Sequence, residues 1–473
     1  MVTRGPAVPD WRYAIEPEIN TASSAGSERQ RVTEQREGAK AGTGTASRPA
    51  PASGASQSST VTLAVLGAGD RGSAYAGWVA RNPDRATVVA VAEPRAYQRE
   101  RLAREHGIPA ERAFASWQEL AGAPRLADAA IVATRDTEHV APAITLARKG
   151  YHLLVEKPLA PAEEECRTLV AAVRDAGVLL AVCHVLRYRP YTRLLKDIVD
   201  SGRVGTVLSV QHLEPVGWWH HAHSFVRGNW RRTDRASFML MAKSCHDIDW
   251  LRHIVGRPIE RVSSFGSLRH FRPENRPPGA ADRCLDCAVE PECPYSAPRL
   301  YLGRLREGRT GWPVSVITDE VTETGVLAAL RDGPYGRCVY ACDNDAVDHQ
   351  VVALEFAGGA TATFQMVAFT PHLDRRTQIF GTRGSIEGDG ERLTVYDFTT
   401  GSSEELTTAT PGPDAAAGHG GGDAGLMEAF TTAVATGDPS TILSGPAESL
   451  ETHLAVFAAE RARHRGTVER VFL

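Results

Sequence analysis

Short runs of apolar residues alternate with amphipathic segments from residue 61 onward. Each run ends in glycine or polar residues, which is typical of strands buried in a parallel sheet. Five such strands are predicted, at 61–66, 88–92, 129–134, 151–156 and 178–183. Helices are predicted between them, among them 96–106, 139–149 and one that begins at Pro161 and ends at Gly177. The alternation predicts a doubly wound α/β domain with a parallel sheet over residues 61–183.

The pattern after residue 183 favours strands that pair with their neighbours along the chain. Residues 350–356 and 360–367 partly alternate between apolar and polar positions, and Gly358-Gly359 joins them as a β-hairpin turn. Further strands are predicted at 206–212, 262–268, 338–342 and 377–380, and helices at 190–201, 238–255, 424–437 and 446–465. We therefore expect an α+β domain with a mainly antiparallel sheet and two C-terminal helices over residues 184–473. This domain would bind the substrate and form oligomer contacts.

Two segments differ in composition from these domains. Residues 1–60 contain neither Leu nor Phe and are dominated by Ser, Thr, Ala, Gly and Pro, so we expect a disordered extension there. Residues 269–335 are rich in Pro, Gly, Arg and Cys. They are predicted to be an insertion in the second domain.

The overall composition narrows the class of partner. A net charge of −4 gives no general attraction to nucleic acid or to an anionic membrane. No apolar run is long enough to cross a bilayer. Eight cysteines, several of them clustered, fit a reducing compartment better than a disulfide scaffold. We expect a cytoplasmic protein that binds a small molecule, with no nucleic acid and no membrane as partner.

A glycine-rich loop follows the first predicted strand and opens a helix. Its sequence is Gly67-Ala68-Gly69-Asp70-Arg71-Gly72. Gly67 permits a tight turn, Gly69 lets backbone amides approach a pyrophosphate, and Gly72 lets the helix pack on the strand. The loop, with Asp70 and Arg71 at the helix start, predicts a Rossmann-type site for a nicotinamide dinucleotide.

The end of the second strand indicates which dinucleotide is preferred. Glu93 lies about twenty residues beyond the loop, where a carboxylate accepts hydrogen bonds from a ribose diol. The same carboxylate would repel a 2′-phosphate, so NAD is favoured as the cofactor. Arg95, two residues further on, keeps NADP open.

The fourth predicted strand is followed by a motif that carries a family resemblance. Glu156-Lys157-Pro158 comes directly after it, and a helix with the sequence His246-Asp247-Ile248-Asp249 lies downstream. With the glycine loop, this arrangement resembles the glucose–fructose oxidoreductase/inositol dehydrogenase/rhizopine catabolism (Gfo/Idh/MocA) family over roughly residues 61–400. The resemblance implies a two-domain dehydrogenase with its active site between the domains. It also implies that four residues lie beside the cofactor: Thr134, His139, Glu156 and Lys157.

The resemblance implies a catalytic set that this chain matches only in part. Lys157 would lie beside the nicotinamide and the reacting hydroxyl, where an ammonium stabilises developing alkoxide charge. His246 and Asp249 match the family's histidine and its later aspartate, but Ala242 stands where the family usually has an earlier aspartate. Because Lys243 lies three residues before His246, we predict a catalytic set of Lys157, Lys243 and His246. His246 would accept the proton.

Substrate contacts are expected from segments beyond the glycine loop. The predicted contacts are Arg187, Tyr188, Trp218, Trp219 and Asp249. The two tryptophans begin an aromatic and histidine-rich segment that suits a carbohydrate-sized ligand, with a lid or a subunit contact as the alternative. His419 precedes a glycine run and either reaches this pocket or belongs only to the entry of a helix.

The insertion contains a cluster of thiols. Cys284, Cys287 and Cys293 have the spacing of a zinc knuckle, and Cys338 or Cys342 is available as a fourth ligand. We predict a structural zinc site with Cys342 as the fourth ligand, because an insertion with little core of its own needs such a centre. Free thiols or a disulfide are the alternative.

These features together predict an NAD(P)-dependent oxidoreductase. It would transfer a hydride between the nicotinamide and a secondary hydroxyl of a sugar, an inositol or a sugar derivative. An NAD-dependent glycosidase of the same fold is the alternative, in which transient oxidation of one carbon permits elimination at its neighbour. A homo-oligomer, dimer or tetramer, is expected because the open face of an antiparallel sheet commonly packs against a copy of itself.

Overall fold

The computed structural model describes residues 60–408 and 419–472. The predicted disordered extension, 1–60, lies outside the described residues except for Thr60. No helix in the two described ranges combines the length and the apolar character that a bilayer crossing requires.

The first part of the described chain forms a parallel sheet flanked by helices. Its strands are β1 Val61–Leu66, β2 Ala86–Ala92, β3 Ala113–Phe114, β4 Ala129–Val132, β5 His152–Val155 and β6 Leu180–Val182. The helices that alternate with them are α1 Asp70–Arg81, α2 Ala96–His106, α3 Trp117–Gly122, α4 Val140–Arg148 and α5 Glu163–Ala176. The spatial order β3-β2-β1-β4-β5-β6 reverses direction between β1 and β4, which confirms the doubly wound Rossmann sheet.

Local sequence signals account for several of these boundaries. Ser116 caps α3 by accepting a hydrogen bond from the Glu119 amide at 3.2 Å, as the capping-box spacing predicts. The α5 helix ends at Gly177, which adopts the left-handed conformation that glycine tolerates best. The two-residue strand β3 was not predicted, because it is too short to show an apolar period.

A second, larger sheet follows. Among the described residues it contains β7 Val207–Pro215, β8 Ile259–Ser267, β9 His349–Phe356, β10 Thr361–Val367, β11 Arg376–Gly381, β12 Gly384–Gly388, β13 Arg392–Asp397, β14 Ser402–Thr407 and β15 Glu469–Arg470. Its order is β14-β13-β12-β11-β7-β10-β9-β8-β15, and every neighbouring pair is antiparallel except β7 with β10. The predicted α+β domain with a mainly antiparallel sheet is therefore confirmed.

Two sequence predictions are corrected in this second part, which contains nine helices among the described residues. The helices are α6 Pro190–Asp200, α7 Trp218–His221, α8 Met239–Ala242, α9 Cys245–Val255, α10 Ala297–Arg306, α11 Val314–Ile317, α12 Glu323–Asp332, α13 Gly422–Thr436 and α14 Pro446–Arg465. The prediction of a single helix at 238–255 is wrong, because the helix is interrupted at Lys243 and Ser244, between α8 and α9. The strand predicted at 338–342 is a turn. The first C-terminal helix, α13, packs against the Rossmann sheet, since Leu426, Met427 and Phe430 share a core with β1.

The predicted insertion lies between β8 and β9 and has an apolar core of its own. Tyr301, Val314, Val326 and Leu330 are fully buried together there. Burial of these side chains stabilises the segment by the ordinary hydrophobic effect. The expectation that the insertion has little core is wrong.

Candidate active site

The glycine loop between β1 and α1 has the backbone that the motif predicts. Gly67 has a φ of +90°, and a Cβ atom on it would lie 2.4 Å from the Ala133 carbonyl oxygen. A Cβ atom on Gly72 would lie 1.9 Å from the Gly67 carbonyl oxygen, so the helix approaches the strand more closely than any other residue permits. The chain therefore needs glycine at both positions.

The start of α1 fits a dinucleotide pyrophosphate. Gly69 precedes the helix and supplies no side-chain cap, so the first-turn amides, including that of Asp70, have no partner within the helix. A Cβ atom on Gly69 would meet Arg95 Nη2 at 3.5 Å, which leaves the approach to these amides open. Free amides and the helix dipole favour an anion at this position.

The carboxylate of Glu93 lies directly behind the loop and is already hydrogen-bonded. Its oxygens accept from the Ala68 amide at 2.8 Å and from Arg95 Nε at 2.9 Å. Burial opposes ionisation of Glu93, but the hydrogen bonds from Arg95 and from the Arg95 and Ala68 amides outweigh it and lower the pKa. A fixed negative charge therefore stands where the adenosine ribose is expected.

The fifth loop residue, Arg71, connects the loop to distant parts of the chain. Its Nε donates to Glu156 Oε1 at 2.7 Å, and its Nη2 donates to Asp423 Oδ1 at 2.6 Å. Tyr75 donates to the same Glu156 oxygen at 2.7 Å. The Arg71 side chain thus joins α1, the Glu156-Lys157-Pro158 segment and the start of α13.

Thr134 and His139 lie where β4 meets the cofactor edge of the sheet. The His139 ring is buried, with Nδ1 2.7 Å from the Pro158 carbonyl oxygen and Nε2 3.2 Å from the Thr134 carbonyl oxygen. Thr134 Oγ1 donates to the Glu138 carbonyl at 3.0 Å. These contacts hold the loop after β4 against the loop after β5, so His139 positions the site from within the core.

Lys157 projects from the end of β5 to the break between α8 and α9. Its Nζ donates to the Ala242 carbonyl oxygen at 2.7 Å. Ala242 is the last residue of α8 and the position where the family resemblance implied an aspartate. The helix break leaves this carbonyl free to accept the lysine, so a backbone oxygen contacts the ammonium where a carboxylate was expected.

Lys243 is the next residue after Ala242, but its side chain contacts different groups from those around Lys157. Its Nζ lies 2.9 Å from Glu214 Oε1, and Arg375 Nη2 lies 2.9 Å from Glu214 Oε2. Arg375 Nε also contacts Asp247 Oδ1 at 2.6 Å. The prediction that Lys243 and His246 share one helical face assumed an unbroken helix and does not hold. Lys243 belongs to a buried ion-pair cluster on β7 and the segment before β11.

His246 lies at the centre of the candidate site and is almost completely buried. Its ring centroid is 5.8 Å from that of His184 and 6.2 Å from that of His419. Burial, reinforced by the positive charges of Lys157 and other neighbours, holds the pKa of His246 well below its usual range. The ring is therefore neutral at pH 7, and a proton that it accepts is readily passed on.

The structure gives Arg187, Tyr188 and Asp249 protein partners. Arg187 is buried and forms two hydrogen bonds to Asp249, at 2.7 and 2.8 Å, and a further ion pair to Glu448 on α14. Tyr188 OH contacts Ser444 Oγ at 2.9 Å. These groups are inaccessible and satisfied, which argues against the predicted substrate contact and for a role in holding α9 and α14 to the Rossmann sheet.

Trp218 and Trp219 meet the insertion. Trp218 Nε1 donates to the Pro294 carbonyl at 3.1 Å. The Trp219 ring lies 5.3 Å from Trp312 and 5.1 Å from His372, and the Arg304 guanidinium lies 4.2 Å from its centroid. The insertion thus supplies an aromatic partner to the segment that the sequence predicted for substrate binding.

The cysteine cluster corrects the zinc prediction. Cys284, Cys287, Cys293 and Cys338 line one enclosed cavity of about 20 Å³. The predicted fourth ligand, Cys342, donates instead to the Cys338 carbonyl at 3.3 Å, because the 338–342 segment turns back on itself. Across residues 60–408 and 419–472, no group of three or more His, Cys, Asp or Glu side chains is placed to hold a metal ion.

Sequence reasoning missed the ionic residues that surround these groups. Glu214, Arg375 and Asp423 come from β7, the segment before β11 and α13. None of them lies in a motif, and an acidic residue in the first turn of a helix is common. His184 carried a usable signal, since it follows β6 at the carboxyl edge of a parallel sheet, where ligands bind.

Two family models together match most of the chain. Residues 61–184 match the Gfo/Idh/MocA model described as an oxidoreductase family with an NAD-binding Rossmann fold. Residues 196–468 match the model for the C-terminal alpha/beta domain of the same family. The two matches cover strands β1 to β14, the glycine loop and both lysines of the candidate site.

Individual relatives agree with the family models. YteT of Bacillus subtilis (strain 168), whose name gives an oxidoreductase without a substrate, is 25% identical over 320 residues, 64% of this chain and 71% of its own. A 2,7-anhydro-N-acetylneuraminate hydratase of Escherichia coli (strain K12) is 29% identical over 150 residues, 32% of this chain and 39% of its own. The structure of levoglucosan dehydrogenase in complex with NADH has a TM-score of 0.63 at 19% identity, over 87% of this chain and 99% of that chain.

Proposed function

Since the chain belongs to the Gfo/Idh/MocA family of NAD-binding oxidoreductases, we propose that it oxidises a secondary hydroxyl of a sugar, an inositol or a related compound. The family includes sugar and polyol dehydrogenases, which are NAD(P)-dependent oxidoreductases. Membership of the family makes this chain an NAD(P)-dependent oxidoreductase. The proposal concerns the substrate class, the cofactor preference and the residues that act.

The observation that carries the proposal is the placement of Lys157. Its ammonium lies at the carboxyl edge of the Rossmann sheet and donates to the neutral Ala242 carbonyl at 2.7 Å. No carboxylate of the described residues lies within ion-pair distance of its Nζ, so a substrate hydroxyl can replace the carbonyl without breaking an ion pair. The ammonium would then stabilise the alkoxide that develops as the hydride leaves.

The neighbouring His246 is the proton acceptor in this proposal. Its ring is neutral because burial and the charge of Lys157 hold its pKa low. When bound, the nicotinamide accepts the hydride from the carbinol carbon. Lys157 orients the hydroxyl, and His246 takes its proton, so no protein carboxylate is needed at the Ala242 position.

NAD is the proposed cofactor. The ionised Glu93 carboxylate stands at the end of β2, where it repels a 2′-phosphate. Arg95, the residue that favours NADP, is held by Glu93 through its Nε and Nη2. An arginine committed to that ion pair is less available to bind a phosphate.

An aromatic cluster around Trp219 favours a sugar or polyol ring as the substrate. The Trp219 ring centroid lies 5.3 Å from that of Trp312 and 5.1 Å from that of His372. Burial lowers the pKa of His372, and Lys243 is close enough for its charge to lower that pKa further. Aromatic faces with a few polar groups are typical of carbohydrate-sized sites. Trp218 belongs to the same segment and contacts the insertion.

Reduction of NAD by candidate sugars tests the proposal. The purified protein is mixed with NAD and with levoglucosan, an inositol or a free hexose, and the absorbance band of reduced nicotinamide is followed. Growth of the band with at least one compound supports a dehydrogenase. NADH binding without reduction of NAD by any compound of the panel contradicts the proposed substrate class.

An NAD-dependent elimination is the second candidate. It is favoured by the hydratase relative and by the absence of a carboxylate at Ala242, which leaves a proton inventory different from the one the resemblance implied. Such an enzyme would release the aglycone of a nitrophenyl glycoside in the presence of NAD with no net formation of NADH. A dehydrogenase would form NADH in proportion to product.

A homo-oligomer is proposed from the open face of the large sheet. Phe265 and Val351 lie directly opposite each other on β8 and β9, and both are exposed. Phe380 and Tyr396 are exposed on the same face further along the sheet. Polar residues such as Gln365 lie between the two apolar pairs, so the face combines apolar and polar groups, as protein–protein interfaces do. Light scattering on the protein as it elutes from a size-exclusion column measures the mass of the particle in solution. A monomer that persists at high protein concentration contradicts the proposal.

A cytoplasmic location is proposed from the thiols. All eight cysteines are free in the structure, and Cys166, Cys183 and Cys245 are buried within the domain cores. Free thiols are stable in a reducing compartment.

A further inference from the structure

A second imidazole approaches His246 from the C-terminal part of the chain. His419 lies just ahead of α13, and its ring centroid is 6.2 Å from that of His246, with an angle of 51° between the planes. One water molecule or one substrate hydroxyl can bridge two nitrogens in such a pair. The two rings come from segments more than 170 residues apart, so only the fold brings them together.

One nitrogen of the His419 ring lies beside a carboxylate. His419 Nδ1 lies 3.1 Å from Asp423 Oδ2 and 3.5 Å from Arg71 Nη1. Burial opposes ionisation of Asp423, but His419 and Arg71 outweigh it and hold its pKa well below the usual range. An ionised carboxylate beside Nδ1 fixes the tautomer that carries its proton there and leaves Nε2 as an acceptor.

The two imidazoles differ in their access to water. The His246 residue is 6% exposed, whereas the His419 side chain is 32% exposed. His246 Nδ1 is buried and has no hydrogen-bond partner among the described residues. A proton placed on His246 Nδ1 therefore has neither solvent nor a protein acceptor beside it.

Burial and nearby cations make a proton retained on His246 unfavourable. Lys157 and Arg375 are the cations that face it, and the imidazoles of His184 and His419 lie beside it. Burial lowers the pKa of His184 to about 3, so that ring is neutral. The groups that face His419 are Asp423, Arg71, Asp70 and His246. His419 has the ionised Asp423 carboxylate at hydrogen-bond distance, and that charge stabilises a proton on the His419 ring.

We propose that His419, positioned by Asp423, is a proton relay that carries the substrate proton from His246 to solvent. This inference rests on the proposed oxidation. The carbinol C–H bond breaks with its electron pair, which reduces NAD to NADH, and the O–H bond breaks as the C=O bond forms. The proton passes to His246, then through a bridging water to His419 Nε2, and from there to bulk water.

A purely structural pair is the competing explanation. Asp423 also holds Arg71, so the dyad contributes to the link between the glycine loop and α13. His464 offers a matched control, because it pairs with Glu460 four residues away at 3.3 Å on the surface of α14, far along the chain from the site. A structural role predicts that added imidazole has no effect, since a diffusing base does not restore a lost link.

The test compares His419→Ala with His464→Ala in the full-length protein. With the sugar that the wild-type protein oxidises fastest, kcat of H419A is expected to fall about a hundredfold, while KM for NAD changes little. Added imidazole is expected to raise the kcat of H419A at least tenfold, because a free base replaces the relay. H464A should keep the wild-type kcat with or without imidazole.

The outcomes separate the relay from the proposed function. A wild-type protein that turns over, with H419A equal to H464A or unaffected by imidazole, overturns the relay and leaves the oxidation intact. A wild-type protein that binds NADH but reduces no NAD overturns the proposed oxidation and the relay with it. His419→Gln, which retains a hydrogen bond to Asp423, should be as slow as H419A, since an amide does not carry the proton.

Discussion

Two lysines near the candidate site differ in the charge of the group that each one contacts. Lys157 follows a strand of the regular Rossmann sheet and donates to the neutral Ala242 carbonyl. Lys243 follows the short helix α8 and pairs with Glu214, which also holds Arg375. An ammonium on a carbonyl can be transferred to a substrate oxygen, whereas an ammonium within an ion-pair cluster is committed to it.

The site therefore has two sides with different roles. The sheet side is formed by the Rossmann sheet and ends at Lys157, and the helix-break side is formed by the residues around the break between α8 and α9. The sheet side carries the cofactor loop and the lysine that is free to act. The helix-break side is stabilised by buried charges whose removal one at a time leaves a partner unpaired. Chemistry is therefore expected to respond to changes at Lys157, and stability to changes at Glu214.

Replacement of Lys157 tests this comparison most severely. Lys157→Ala is expected to lower kcat about a thousandfold, because the alkoxide loses its ammonium, while NADH still binds. The measurement is the initial rate of NAD reduction together with NADH fluorescence titration. Lys196→Ala, which removes a surface lysine paired with Asp200, should leave the rate unchanged. A K157A variant with the rate of K196A would contradict the assignment.

The next largest effect is expected at Glu214. Glu214→Gln should lower the free energy of unfolding by about 3 kcal/mol, because Lys243 and Arg375 then lack their shared buried counter-charge. Urea unfolding followed by tryptophan fluorescence measures it. The surface pair of Arg203 and Glu404 is the control, since Glu404→Gln should change stability by less than about 0.5 kcal/mol. Equal effects at both sites would show that the cluster is not stabilising.

Cofactor preference is expected to respond more modestly. Glu93→Gln should raise the ratio of kcat/KM for NADP over NAD about tenfold, since the charge that repels a 2′-phosphate is lost and Arg95 is released. The two cofactors are compared at fixed sugar concentration. Glu105→Gln removes the partner of Arg101 on the neighbouring helix and should leave the ratio unaltered. A ratio that stays at the wild-type value in E93Q would mean that Glu93 does not face the ribose.

The smallest effect is expected at Lys243. Lys243→Met should lower kcat less than tenfold and cost about 1 kcal/mol of stability, because Glu214 keeps Arg375 as a partner. The same rate and unfolding measurements apply. A loss as large as that of K157A would restore the catalytic set predicted from the sequence and would break the contrast between the two lysines.

The sequence by itself determined the cofactor half of the protein. Strand and helix periods, the glycines at 67 and 72 and the acidic residue at 93 are local features, and each follows from backbone sterics or from the neighbouring few residues. The same holds for the Gly358-Gly359 hairpin and for the helix at Pro446–Arg465. Such features survive in any fold that places a strand, a turn and a helix in order.

Only the tertiary structure decided the substrate half. Contacts across long stretches of chain decide three features: the contact of Lys157 with the Ala242 carbonyl, the pairing of Lys243 with Glu214, and the burial of Arg187 with Asp249. A side chain's partner in a buried ion pair is set by which segments pack together, and no residue-to-residue spacing encodes that. The sequence identified the residue types that are available for catalysis. The fold determined which of them are held in ion pairs and which are not.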